Sequence, residues 1–151
     1  MTTGNNHMAQ FIDQSLHPQN ITPKRVIVLV EDHSLQKGIV AYLEMDGYEV
    51  TSTSSTHEFF HHFTNQSHGV AIIDVDQPDK SGLALAKYLH NNTAIRIISI
   101  TTDPFLRSKK NSLISQADIY LKKPLNFRLL SASVNILFPT NVYKDIRNVV
   151  K

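Results

Sequence analysis

The sequence predicts an α/β fold: a doubly wound five-stranded parallel sheet with helices on both faces. Two observations carry this. Val26-Ile27-Val28-Leu29-Val30 and Val70-Ala71-Ile72-Ile73 are unbroken apolar runs, and residues 95–100 form a third, mostly aliphatic one. Such runs mark strands buried on both faces, the signature of a parallel sheet. Between the runs, apolar residues recur at helical spacing, so strand and helix alternate along the chain. The 151 residues, 41% hydrophobic, suit one domain of ordinary core size with short tails.

Residues 1–23 are polar, end at Thr22-Pro23 and read as a flexible leader, with at most a weakly held helix over 8–16. The first strand covers 26–30 and stops at Glu31-Asp32. Leu35, Ile39 and Leu43, spaced by four, then predict a helix that Gly47 ends. Residues 48–51 alternate as a short strand. Ser55-Thr56-His57-Glu58 matches a capping box opening a helix with Phe59, Phe60 and Phe63, read as core. The strand at 70–73 runs into Asp74, and the loop Asp76-Gln77-Pro78-Asp79-Lys80-Ser81-Gly82 leads to a helix with Leu85, Tyr88 and Leu89. The strand at 95–100 ends at Thr101-Thr102. Asp103-Pro104 opens a helix holding Leu106, Leu113 and Ile114. A last strand at 118–121 reaches Lys122-Lys123-Pro124, and Asn126 caps a helix with Leu130, Val134 and Leu137. Five such units with right-handed crossovers favour the flavodoxin-like strand order 2-1-3-4-5. The domain is expected over 24–138, with 139–151 as a tail or the start of an interdomain linker.

The formal net charge of +2 is too small to argue for nucleic acid, and the basic residues form no block. With no Cys, disulfides, thiolate nucleophiles and Cys-based zinc sites are excluded. Neither a signal peptide nor a stretch of about 20 apolar residues is present, so a cytoplasmic chain with no membrane partner is expected.

In a doubly wound sheet, ligands sit outside the carboxyl ends of the strands. Glu31 and Asp32 follow the first strand, Asp74 the third, Thr101 the fourth and Lys123 the fifth. Three carboxylates, a hydroxyl and an ammonium thus converge on one edge. The acids repel one another unless a cation joins them. Oxygen-only ligands suit a hard ion, with magnesium the natural choice. One carboxylate could then attack phosphorus, with metal, Lys and hydroxyl stabilising the charge on the transferred group.

These residues resemble the receiver domain of two-component response regulators. The resemblance runs from about Arg25 to about Leu137 and rests on Val30-Glu31-Asp32, Ile73-Asp74-Val75, Pro78, Gly82, Ile100-Thr101, Tyr120 and Lys123-Pro124. It implies that Asp74 is the phosphoacceptor. Asp32 would bind Mg2+ directly, Glu31 partly through water, and the Asp76 backbone carbonyl would be a further ligand. Thr101 would swing to the phosphoryl group, Tyr120 would turn inward with it, and Lys123 would pair with the phosphoryl oxygens. The implied phosphodonor is a histidine kinase, a phosphotransfer protein or a small phosphodonor. The face over about 104–137 would meet a partner or form a homodimer. DNA would be reached only through an output domain outside these residues. Two departures stand out: Thr102 where a small residue is usual, and acids at Asp76 and Asp103 flanking the site. Added bulk and charge there are expected to change the phosphoryl lifetime, which unchanged lifetimes in Asp76→Asn and Thr102→Ala proteins would refute.

Two other functions compete. Asp74-Val75-Asp76 after a buried strand also resembles the nucleophile motif of haloacid-dehalogenase-type phosphatases. Those enzymes place an acidic pair after the Lys, whereas here Glu31-Asp32 precedes Asp74 and only Asp145 follows Lys123. A degenerate receiver, binding partners without phosphorylation, is the other; the intact acidic set argues against it. His57 and His61 share a helix face beside His62, but no third ligand falls at metal spacing, so this reads as a solvated face.

Overall fold

Alternate residues of each central strand enter different apolar layers. Val26, Val28, Ile72, Ile98 and Ile100 pack with Ile39, Leu43, Leu130 and Val134 on one side of the sheet. Ile27, Leu29, Ala71, Ile73 and Ile97 pack with Phe59, Leu85, Ala86 and Leu89 on the other. Unbroken aliphatic runs follow from this arrangement, because a strand covered on both faces has no solvent side.

The structure is a computed structural model and describes residues 23–63, 68–103 and 116–138. In chain order the described elements are β1 (Arg25–Leu29), α1 (His33–Met45), β2 (Glu49–Thr53), α2 (Thr56–His62), β3 (Val70–Asp74), α3 (Ser81–Asn92), β4 (Arg96–Thr101), β5 (Ile119–Lys122) and α4 (Phe127–Leu137). The strands pair in parallel in the order β2-β1-β3-β4-β5, the order expected. The helix expected around Leu106 and Ile114, the weak helix over 8–16 and the tail from Pro139 lie outside the described residues. Among the described residues no helix is long and apolar enough to cross a membrane.

Local chemistry sets the ends. Asp32 caps α1, its Oδ1 accepting the Ser34 N–H at 2.9 Å and the Leu35 N–H at 3.3 Å. Gly47, just past α1, has φ +95°, a conformation that costs glycine little. The capping box of α2 forms one residue out of the usual register. Ser55 accepts the Glu58 N–H at 3.1 Å, but the Glu58 side chain reaches the N–H of Ser54, at 2.7 Å. Asn126 caps α4 through the Leu129 N–H at 3.0 Å. The second strand begins one residue later than expected, because Tyr48 turns into the core and stacks on Phe138 instead of joining the ladder. Phe59 is core and Phe63 stacks on it, but Phe60 is not: it is exposed and meets the exposed Tyr88 edge to face.

Candidate functional site

β1, β3, β4 and β5 are parallel, so their carboxyl ends open on one edge. Two groups brace that edge. The Gln36 amide donates to the carbonyls of Val30, at 2.9 Å, and Thr53, at 3.0 Å, fixing the turn that carries Glu31 and Asp32. Gly82 lets α3 close against β3: a Cβ at this position would stand 2.2 Å from the Asp74 carbonyl oxygen. No other residue fits there without moving the acceptor strand. Before α3, the Asp79 carboxylate accepts the Ser81 N–H at 2.9 Å, and the Ser81 hydroxyl donates to the Gln77 side chain.

At the edge lies a pocket of about 290 Å³ lined by Glu31, Asp32, Asp74, Asp76, Gln77, Pro78 and Lys123. Asp74, the last residue of β3, is 6% exposed. Its Oδ2 is 2.8 Å from Lys123 Nζ, and its Oδ1 accepts the Asp76 N–H at 2.9 Å. Lys123 is brought there by the β4–β5 ladder, where Thr101 pairs with Lys122, and by its own N–H on the Thr101 carbonyl at 2.9 Å; its bond to Pro124 is cis.

The Asp76 carboxylate is the most heavily bonded group of the site. Oδ1 accepts the Thr101 hydroxyl at 2.7 Å, while Oδ2 accepts the Thr102 N–H at 2.8 Å and lies 3.2 Å from Lys123 Nζ. Partial burial alone would raise its pKa, but the Thr101, Thr102 and Lys123 donors outweigh that and hold it below the usual carboxylate range. Burial likewise pulls the Lys123 ammonium down, yet its bonds to Asp74 and Asp76 leave it above the ordinary lysine value.

These contacts place a nucleophilic carboxylate beside a fixed cation, in a pocket lined by three further acids, Glu31, Asp32 and Asp76. Known proteins resemble this chain over the same residues. A family model described as "Response regulator receiver domain" matches residues 27–135. The chain belongs to the receiver domain family. It is 32% identical to the TorCAD operon transcriptional regulatory protein TorR of Escherichia coli K12, over 74% of this chain and 49% of TorR. It is 27% identical to the transcriptional regulatory protein CrdR of Helicobacter pylori, over 83% of this chain and 60% of CrdR. The chain thus spans about half the length of the curated relatives it matches. In solved structures it resembles the receiver domain of the TMAO respiratory system regulator TorR, with TM-score 0.68 and 28% identity over 76% of this chain and 96% of that one. A receiver domain protein from Clostridium thermocellum aligns with TM-score 0.66 and 27% identity, over 76% of this chain and 93% of that one.

In this receiver domain, Glu31, Asp32, Asp74, Asp76 and Lys123 come together as pocket lining, and Thr101 joins them through Asp76. Tyr120 does not line the pocket. Its hydroxyl accepts the Ala117 N–H at 3.3 Å, its ring packs on the α2–α3 layer, and burial raises its pKa above the ordinary tyrosine value. His57, His61 and His62 are all exposed on α2, as a solvated face would be. Sequence reasoning misses the bonds of the Asp76 side chain and finds only its backbone carbonyl and its charge. Side chains two apart on extended backbone share a side, and that signal puts Asp76 beside Asp74.

Proposed function

We propose that this receiver domain, over residues 24–138, accepts a phosphoryl group on Asp74. The observation that carries the reading is the Lys123 ammonium 2.8 Å from the Asp74 carboxylate, at the floor of a pocket rimmed by Glu31 and Asp32. The donor set fits magnesium: every side chain that would face the ion offers oxygen, and Asp32 keeps Oδ2 free of its capping bonds. Asp32, Asp74 and the Asp76 carbonyl would hold Mg2+ directly and Glu31 partly through water. Bound magnesium supplies positive charge toward the phosphoryl oxygens.

In the transfer, an Asp74 carboxylate oxygen forms the new O–P bond as the P–N bond of a phosphohistidine breaks, and the departing imidazole nitrogen takes a proton from water. Lys123 pairs with one phosphoryl oxygen and Thr101 donates its hydroxyl to another. The donor is a histidine kinase or a phosphotransfer protein. The acyl phosphate then shifts a two-state surface, with Tyr120 turning inward, and the face over 104–137 meets a partner or a second copy. Several relatives carry transcriptional regulator names, and on that analogy the output is control of transcription in the cytoplasm through a DNA-binding domain beyond this segment. The domain is a signalling switch whose only chemistry is its own phosphotransfer and dephosphorylation.

Acetyl phosphate with magnesium, read by intact mass, tests this. Wild type is expected to gain one phosphoryl adduct and Asp74→Asn none. An unmodified wild type, or an adduct retained in Asp74→Asn, overturns the reading.

A further inference from the structure

Thr101 and Lys123, the two groups assigned to phosphoryl oxygens above, are already held by another anion. The Thr101 hydroxyl has one proton to give, and it gives it to Asp76 Oδ1 at 2.7 Å. Thr101 Oγ1 in turn accepts the Asp103 N–H at 3.0 Å, so the hydroxyl is pinned from both sides. Lys123 divides its protons between Asp74, at 2.8 Å, and Asp76, at 3.2 Å. The Thr102 N–H, at 2.8 Å, anchors the other Asp76 oxygen to the backbone beyond β4. One carboxylate therefore makes, on these side chains, the contacts that a phosphoryl group on Asp74 requires.

We propose that the Asp76 carboxylate is an internal competitor of the phosphoryl group, holding Thr101 and Lys123 at rest so that phosphorylation of Asp74 must displace it. The inference rests on the reading of Asp74 as phosphoacceptor. Thr101 is the limiting partner, because a lysine ammonium has three protons to share and a hydroxyl has one. Displacement has an outlet. The Asp76 side chain is 26% exposed against 9% for Asp74, so Asp76 can turn to water while Asp74 stays in place. The newcomer carries more charge than the carboxylate it replaces, so it takes the single Thr101 proton. Asp76 is thus a positioning residue that sets how hard the switch is to throw.

Beryllofluoride with magnesium, a stable stand-in for the phosphoryl group, reads this directly by calorimetric titration. Wild type, Asp76→Asn, Thr101→Val and the double variant form a cycle, with Asp74→Asn as control. Asp76→Asn keeps the shape and removes the charge, and it is expected to tighten binding about tenfold, the scale of one charge-assisted hydrogen bond. Most of that gain should vanish in the Thr101→Val background, where there is no hydroxyl to release. Equal or weaker binding by Asp76→Asn overturns the inference. So does an undiminished gain without Thr101, which would mean that Asp76 merely repels the anion. If only the Asp76 variant binds, the competition is stronger than tenfold and the inference stands. If no variant binds, or if Asp74→Asn binds as wild type does, the phosphoacceptor reading itself falls.

Discussion

Ile72 and Asp74 sit two residues apart on β3, and both are almost out of water, at 0% and 6% exposure. They are kept there by different means. Ile72 is fully buried in an apolar layer shared with Ile39, Leu43, Leu130 and Val134, and neighbours of similar shape would serve. Asp74 is kept by one ammonium and one backbone N–H, and both must stand where they do. The interior of the sheet is thus held by non-directional burial, and its carboxyl edge by a closed set of polar partners. Changing the interior should cost stability with little change in site chemistry, and changing the edge should do the reverse.

The largest effect expected is in the interior. Ile98 is fully buried in the layer that α1 and α4 cover. Ile98→Ala should lower the unfolding free energy by roughly 2–5 kcal/mol in a urea melt, from lost transfer energy plus the cavity left behind. Beryllofluoride affinity should survive wherever the variant is folded. A stable Ile98→Ala protein that no longer bound it would break the separation. Gly82 stands where the two regions join. Gly82→Ala drives a methyl into the Asp74 carbonyl, so it should cost about 1–3 kcal/mol and also weaken beryllofluoride binding, since the strain falls on the acceptor strand. Loss of only one of the two properties would show that α3 yields without moving Asp74.

The edge should declare itself in pH. The Asp76 carboxyl titrates below its unfolded value, so its contribution is whole above about pH 4 and fades as pH falls through the lower folded value. The Lys123 ammonium titrates above its unfolded value, so its contribution is whole below about pH 10.4 and fades as pH rises through the folded value. Urea midpoints measured across pH should therefore fall at both ends. Asp76→Asn should flatten the acid limb and shrink the alkaline one, because Lys123 loses one of its two acids and its folded value moves toward the unfolded one. An acid limb unchanged in Asp76→Asn would place that dependence on other carboxylates.

The same contrast explains what the sequence disclosed. Apolar runs and helical spacing are properties of many residues at once, so strand order and both layers could be read from them. Asp74, Asp32 and Lys123 were legible as neighbours because each stands at or shortly past the end of a strand, and strand ends are few. The role of the Asp76 carboxylate was not, because it depends on a side-chain rotamer and on three donors from two other segments. Phe60 misled for a related reason: its type says core, but α2 is short and turns it outward toward Tyr88. Tyr48 reads as a ladder residue and instead packs: it is buried, its ring stacks on Phe138, and its N–H goes to the Leu43 carbonyl.

The smallest effect belongs to a position that neither rule governs. Lys80 precedes α3 with φ 61° and ψ 21°, in the left-handed region, and its side chain makes no capping bond. A Cβ there costs about 1–2 kcal/mol, part of which glycine would return through its freer unfolded chain. Lys80→Gly should therefore raise stability by roughly 0.5 kcal/mol. Lys80→Ala should leave it nearly unchanged, because the strain lies in the backbone and not in the lysine. Equal melting curves for the Gly and Ala proteins would remove that argument.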